Sequence, residues 1–396
     1  MPTETRIDQG ILRLPVARGG DGERERRRAS DEAAFLRGEA LVLVYDAGAE
    51  AAARDRDNRG RRGGQLTVSW AMIAALAVIR EVKRVSYREL HGYLRKCTGG
   101  RCTMSYSQLC RRINSLGIES FCGGMLAGGF EVSLRRRGGG MEVRVRRARR
   151  RADLGMTIER RGGMAVICAG PGRMPEPGAV VDATFLSTGN RSAGRLEKWR
   201  HEAGRRGNHK LTACSGTRTN RIMVAVLTDD RTGDGAALEP VIEALEGSGS
   251  LRGKGGKAPP IYADGAYSWR SNFGAARSAG YRLFAPIKVT DSGRSNGTEG
   301  WGEESAWQLA GIRGPRAARR ANLDGLTAEE KSAHREDWKA EVGYSTRSRS
   351  EYVFSSFKRT FGGHVAARKW ENVVMEVARK VAIHNAVLEA ARGARR

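Results

Sequence analysis

One carboxylate set inside an apolar strand constrains this chain more than any other feature. Ala179-Val-Val-Asp182-Ala-Thr-Phe185 reads as a short buried strand, and an acid left unpaired there is costly. A fold containing this strand must bring a metal or hydrogen-bonding partners to Asp182. The residues that follow alternate strand and helix signals. Lys210 to Cys214 and Ile222 to Thr228 read as two further strands. Pro240 suits the first residue of a helix running to Leu245. Pro260 to Asp264 reads as a buried strand ending in an acid, Phe273 to Ala279 as a helix stopped by Gly280, and Tyr281 to Ile287 as another strand. Asp229, Asp230 and Asp234 are rivals for a metal role, but they lie in or beside a turn, where acids are common for local reasons.

Further on, Tyr344, Arg347, Glu351, Phe354 and Lys358 are spaced three, four, three and four residues apart. That spacing stacks them on one stripe of an α-helix. The stripe reads either as an i,i+4 salt-bridge ladder or as a metal-binding carboxylate flanked by phosphate-binding cations. A last amphipathic helix carries Val374, Val377, Val381 and Leu388. The order is three strands, a helix, a strand, a helix, a strand and the Glu351 helix. In a sheet ordered in the ribonuclease-H manner the first and fourth strands are neighbours. Asp182 and Asp264 would then stand side by side, with Glu351 carried over them. Three such carboxylates make a hard, oxygen-rich site suited to two Mg²⁺ ions. The plain alternative for Asp182 is a hydrogen-bonded core acid.

The charge balance points to the partner. The chain has 70 Lys plus Arg against 44 Asp plus Glu, a formal charge of +26. Charge of that size selects polyanions, nucleic acid above all, and the excess is mostly arginine, whose planar fork suits phosphate. Residues 1–62 read as a basic, weakly ordered N-terminal region with one strand-like patch, Leu41 to Tyr45. Residues 63–122 read as a small all-α domain. Its first helix carries Val68, Met72, Leu76, Ile79 and Val82 and is apolar on most sides. Ser86-Tyr-Arg-Glu89 and Ser105-Tyr-Ser-Gln108 are two capping boxes. On the second capped helix Leu109, Ile113 and Leu116 face inward, leaving Arg111 and Arg112 to point outward. DNA binding and dimerisation both suit such a domain. Residues 123–177 read as an Arg-rich linker or arm, with nine arginines and one acid between Arg135 and Arg151.

Other classes are poorly supported. Six cysteines lack paired C-x2-C spacing and read as buried thiols; Cys97, Cys102 and His91 have no second ligand pair at zinc-site spacing. The longest apolar run, Ala71 to Ile79, is nine residues, where a bilayer needs ~20. The N-terminus lacks the apolar core of a secretory signal. A cytoplasmic, nucleoid-associated protein without a membrane partner is expected.

Three local sequences then combine. Tyr344, Arg347, Glu351 and Lys358 reproduce a Y-x2-R-x3-E-x6-K spacing in full. The first acid lies in Val-Asp182-Ala-Thr, and the second in Ala-Asp264-Gly-Ala-Tyr267, a D-x-(G/A)-Y element. Together they resemble the DDE (Asp-Asp-Glu) transposases of bacterial and archaeal insertion sequences, over about residues 178 to 390. The helical segment is similar, more loosely, to the domain that precedes catalysis in many members. Acid-to-acid distances of 82 and 87 residues leave room for only a modest insertion before Glu351. The resemblance implies a ribonuclease-H-like, mixed-sheet α/β catalytic domain over residues 178–396. It implies two Mg²⁺ ions, with Mn²⁺ as an alternative, held by Asp182, Asp264 and Glu351. It implies cleavage at the ends of the element and joining of the freed 3′-hydroxyl to target DNA. Arg347 and Lys358 would hold phosphates, Tyr344 would position a strand, and Lys210 is a further phosphate candidate. Trp269 would stack on a base or pack beside Phe273. Arg111 and Arg112 would contribute to end recognition. A homodimer is expected because two ends must be cut together. A ribonuclease-H-like nuclease without joining activity and a relict DNA-binding protein are the rival readings.

Overall fold

The computed structural model describes residues 11–15, 47–97, 104–126, 130–137, 140–147, 155–170, 172, 174–188, 208–286 and 328–393. The strand-like patch at Leu41 to Tyr45 and the Gly-rich loop expected at 291–303 lie outside them. The chain divides into two compact units: Met1–Ile158 with Ser187–Arg206 and Ser355–Arg396, and Glu159–Leu186 with Gly207–Phe354.

The first unit opens with β1 (Ile11–Pro15), α1 (Ala47–Asn58), α2 (Trp70–Lys83), α3 (Tyr87–Cys97), α4 (Tyr106–Ser115) and α5 (Ile118–Leu126). The helix starts follow their capping residues. Ser69 Oγ accepts from the Met72 amide, and both capping boxes form. The Glu89 side chain accepts from the Ser86 amide at 2.7 Å while the Glu89 amide donates to Ser86 Oγ at 3.3 Å. Ser105 and Gln108 repeat the exchange at 2.7 and 3.2 Å. Leu109 and Ile113 are buried, as their spacing requires, and Arg111 is exposed. Arg112 differs from expectation. Its guanidinium lies over the Trp70 ring, 4.5 Å from the centroid, and points inward. His91 makes a hydrogen bond with the Met104 carbonyl oxygen.

The residues read as an arm form β2 (Phe130–Arg137) and β3 (Gly140–Arg147), antiparallel, with β1 on the other edge of β3. The period-two pattern Val132, Leu134 and Met141, Val143, Val145 is a strand signal that the arginine content hides.

The sheet of the second unit begins with β4 (Met156–Arg161) and β5 (Met164–Ala169). Both lie inside the expected linker. Gly162 and Gly163 join them with φ of +44° and +87°, the left-handed pair that a two-residue hairpin turn demands. Next come β6 (Ala179–Thr188), β7 (Asn208–Gly216), β8 (Ile222–Asp229), α6 (Leu238–Ser248), β9 (Pro260–Tyr262), α7 (Arg270–Ser278) and β10 (Arg282–Phe284). The order across the sheet is β10-β9-β6-β7-β8-β5-β4. The β10–β9 and β9–β6 pairs are parallel, and the β7–β8 and β8–β5 pairs antiparallel. The first and fourth strands of the expected series, β6 and β9, are neighbours.

Alternation along these strands decides what each face carries. Ala179, Val181, Ile261 and Ala263 pack with Leu238, Val241 and Leu245 of α6 and Phe273 and Ala276 of α7. On the opposite face Val180, Tyr262 and Phe284 pack with Trp338 of α8 (Ala328–Glu341). Asp182 and Asp264 follow Val180 and Tyr262 by two residues each. Both therefore belong to the Trp338 side.

α9 (Arg349–Phe361) runs from the second unit into the first, followed by β11 (His364–Val365) and α10 (Trp370–Gly393). In the first unit Arg84 donates to the Thr360 and Arg359 carbonyls, satisfying the last turn of α9. A buried charge cluster lies between α2 and α10. Arg80 pairs with Glu81 at 2.8 Å and with Glu376 at 3.6 Å, Arg379 with Glu81 at 3.2 Å, and Lys380 with Glu376 at 2.8 Å. Among the described residues no helix is long and apolar enough to cross a membrane.

Candidate active site

Strand register sets the first two acids level. Val180 pairs with Tyr262 across the parallel β6–β9 ladder, and each acid lies two residues beyond its member of that pair. One oxygen of each is already fixed. Asp182 Oδ1 accepts from the Ala183 amide at 2.9 Å. Asp264 caps the short 3-10 turn Gly265–Tyr267, its Oδ1 accepting from the Ala266 amide at 2.7 Å. The side chains are 16 % and 37 % exposed. The buried Tyr267 ends that turn; burial foremost, then Asp234, Asp182 and Asp264, push its phenol pKa up.

The third acid arrives differently from the expected single helix. Tyr344–Ser348 is a 3-10 turn entered through Gly343 at φ +66°, and the α-helix begins only at Arg349. Aromatic packing fixes the turn. The Tyr344 ring lies 5.5 Å from Trp338, which meets Phe284 edge-on at 6.3 Å. The Tyr262 hydroxyl donates to the Val342 carbonyl at 3.0 Å, and the Tyr344 hydroxyl donates to the Ala263 carbonyl at 2.8 Å. Burial pushes the Tyr344 pKa up to about 12, with Arg347 opposing and the two aspartates adding to it. Tyr344, expected to position a DNA strand, thus has its hydroxyl committed to the backbone beside Asp264.

Arg347 stands where the three acids meet. Its Nη2 is 3.3 Å from Asp182 Oδ2 and 3.9 Å from Asp264 Oδ2, and its Nη1 is 3.7 Å from Glu351 Oε1. Only the Asp182 contact is a hydrogen bond, and the buried Nε has no hydrogen-bond partner among the described residues. Ser350, missed in the sequence, donates its hydroxyl to Asp182 Oδ2 at 2.9 Å and lies within 2.9 Å of the Arg347 carbonyl. Its position just before Glu351 on a helix was the available signal. Glu351 itself is 70 % exposed. Lys358 lies two turns along the same helix, in the first unit, and has no carboxylate partner among the described residues.

Other candidates are placed elsewhere. Lys210, a phosphate candidate by sequence, is buried. Its ammonium pairs with Asp234 at 2.7 Å and donates to the Thr232 carbonyl, so it is a structural ion pair. That pairing also accounts for Asp234. Asp229 accepts from the Thr232 hydroxyl and amide and the Arg231 amide, the behaviour of a turn acid. Trp269 is 46 % exposed. Its ring lies over Gly235, where a Cβ would come within 2.5 Å of it.

A family model described as a transposase DDE domain matches residues 173–386, over half of the chain and all three acids. The chain belongs to the DDE transposase family. No curated protein matches it. DDE transposases generally use divalent metals. In this DDE transposase no three His, Cys, Asp or Glu among the described residues are grouped to hold one ion. The donors nevertheless fit one in kind. Three carboxylates, hard oxygen ligands of the sort Mg²⁺ takes, each turn an oxygen toward one cationic group.

Proposed function

We propose that this transposase cuts the ends of its own insertion sequence and joins the freed 3′-hydroxyls to target DNA. The convergence of Asp182, Asp264 and Glu351 on one cation, inside the segment matching the family, carries the reading. The strand order, with β6 parallel to β9 on one side and antiparallel β7 and β8 beyond it on the other, supports a ribonuclease-H-like catalytic domain. Asp182, Asp264 and Glu351 would hold two Mg²⁺ ions, or Mn²⁺. When bound, such ions stabilise the attacking and leaving oxygens of an in-line displacement. In the first reaction water attacks the phosphorus at the element's end. The bond to the 3′-oxygen breaks, and that oxygen leaves as a hydroxyl. In the second, the hydroxyl attacks a target phosphorus and displaces a target 3′-oxygen, so one phosphodiester replaces another.

The residues have distinct parts in this. Ser350 and the Ala183 amide orient Asp182, and the Ala266 amide orients Asp264. Tyr344 and Trp338 hold the turn that presents Arg347 and leads into Glu351. Arg347 and Lys358 hold phosphates, and the exposed Arg111 reads the ends. Two protomers act as a homodimer, one on each end.

The test uses purified protein, DNA spanning the boundaries of its own gene, and Mg²⁺. The wild type is expected to give cut DNA and products with 3′ ends joined to new DNA. Glu351→Gln is expected to give neither while binding the ends as the wild type does. Loss of binding in that variant would count against a metal role for Glu351, and cutting without joining would remove the strand-transfer half.

A further inference from the structure

We propose that Arg347 is a displaceable counter-cation of the catalytic carboxylates. Its guanidinium competes with divalent ions for Asp182, Asp264 and Glu351, and it is given up to a DNA phosphate when those ions bind. The proposal rests on the catalytic reading above and adds a coupling between metal and DNA that the reading does not require.

Charge gives the first reason. Three carboxylates facing one guanidinium leave two negative charges uncompensated, so the group holds the acids together without saturating them. Geometry gives the second. The guanidinium nitrogens stand 3.3 to 3.9 Å from three carboxylate oxygens, whereas Mg²⁺ binds oxygen at about 2.0–2.1 Å. An ion among the same oxygens would meet the guanidinium charge at close range, and the two cations exclude one another.

The contact is also built to be broken. An arginine can make five hydrogen bonds and commonly grips a carboxylate with two. Here one contact of three has hydrogen-bond geometry, and Nε has no hydrogen-bond partner among the described residues. The backbone beneath it is firm, because Tyr344 is fixed to Trp338 and to the Ala263 carbonyl. The long side chain, 26 % exposed, is the part that can move. A phosphate offers it the bidentate partner it lacks. Releasing the guanidinium to DNA then clears the carboxylates for metal, and linkage makes the reverse equally true.

Mn²⁺ binding to the full chain, followed by electron paramagnetic resonance of the free ion without DNA, tests this independently of activity. Arg347→Gln and Arg347→Ala are expected to bind Mn²⁺ about tenfold or more tightly than the wild type, since a nearby positive charge has gone. Arg347→Lys keeps the charge and should stay closer to the wild type. Free guanidinium ion should weaken Mn²⁺ binding in the Arg347→Ala protein more than in the wild type. A short end duplex should tighten Mn²⁺ binding by a larger factor in the wild type than in Arg347→Gln. Equal Mn²⁺ affinity in wild type, Gln and Ala proteins, all with wild-type circular dichroism, would overturn the counter-cation and leave the catalytic reading standing. If none of them binds Mn²⁺, the metal-dependent reading fails and the counter-cation goes with it.

Discussion

Ser350 fixes where the second oxygen of Asp182 points. Its buried hydroxyl donates to Asp182 Oδ2, the oxygen that also faces Arg347. Asp182 thus has one oxygen fixed by its own backbone and the other aimed by Ser350. A hydrogen bond to a charged group contributes roughly 1.5–3 kcal/mol, so Ser350→Ala is expected to lower cleavage about tenfold or more. End-DNA affinity should stay unchanged, and Mn²⁺ affinity should fall. A variant with normal Mn²⁺ affinity and normal cleavage would show that Asp182 needs no such aim. The meeting of Asp182, Asp264 and Glu351 could be inferred from the sequence because each sits in a local context of its own, and the structure brings all three to Arg347. Lys210 and Arg112 were misread because their partners are remote: Asp234 lies 24 residues away and Trp70 lies 42. A cation's partner is decided by tertiary packing, which a residue's neighbours in sequence do not record.

Among the elements, α2 and α10 are joined by charge as well as by apolar packing. Glu376 is buried, and burial alone would raise its pKa. Lys380 and Arg80, with hydrogen bonds from Lys380 and the Ala366 amide, outweigh that and bring it from 4.5 to about 2. The folded pKa is thus below the unfolded one. Between those values the unfolded chain binds more protons, so this contribution is complete above about pH 4.5 and lost as pH falls toward 2. Urea unfolding of the wild type should show that acid loss. Glu376→Gln should flatten it and destabilise the first unit by about 3–5 kcal/mol near neutrality, since it strands buried cations. A variant as stable as the wild type would mean that the cluster is energetically idle. Helices α2, α4 and α10 were readable from apolar spacing and caps, and β6 to β9 from short apolar runs. The β4–β5 hairpin was hidden by the arginine-rich context, although Gly162-Gly163 between two apolar segments is a hairpin signal. The break between the Tyr344 turn and α9 could not be read, because the three-residue step from Tyr344 to Arg347 suits a 3-10 turn and an α-helix alike.

At the scale of the whole molecule, an acidic cluster lies inside a strongly basic chain. Three carboxylates against one guanidinium would by themselves repel a phosphate backbone. The chain's formal charge of +26 reverses the long-range field that DNA meets. Binding and chemistry are then separable. Basic residues away from the acids should set affinity, while the acids set what happens once DNA is held. Arg111 and Lys358 are the natural probes, the first exposed on α4 and the second without a carboxylate partner among the described residues. Duplex binding measured by fluorescence anisotropy should weaken steeply with salt, by about 10³-fold or more between 50 and 200 mM if at least six phosphates are neutralised. Arg111→Ala and Lys358→Ala should each reduce the slope of log affinity against log salt by about one. Glu351→Gln, which changes only the acidic site, should leave that slope as it is. An unchanged slope in both basic variants would place the DNA on other residues. A Glu351→Gln slope that moved with them would mean that affinity and chemistry share one set of charges.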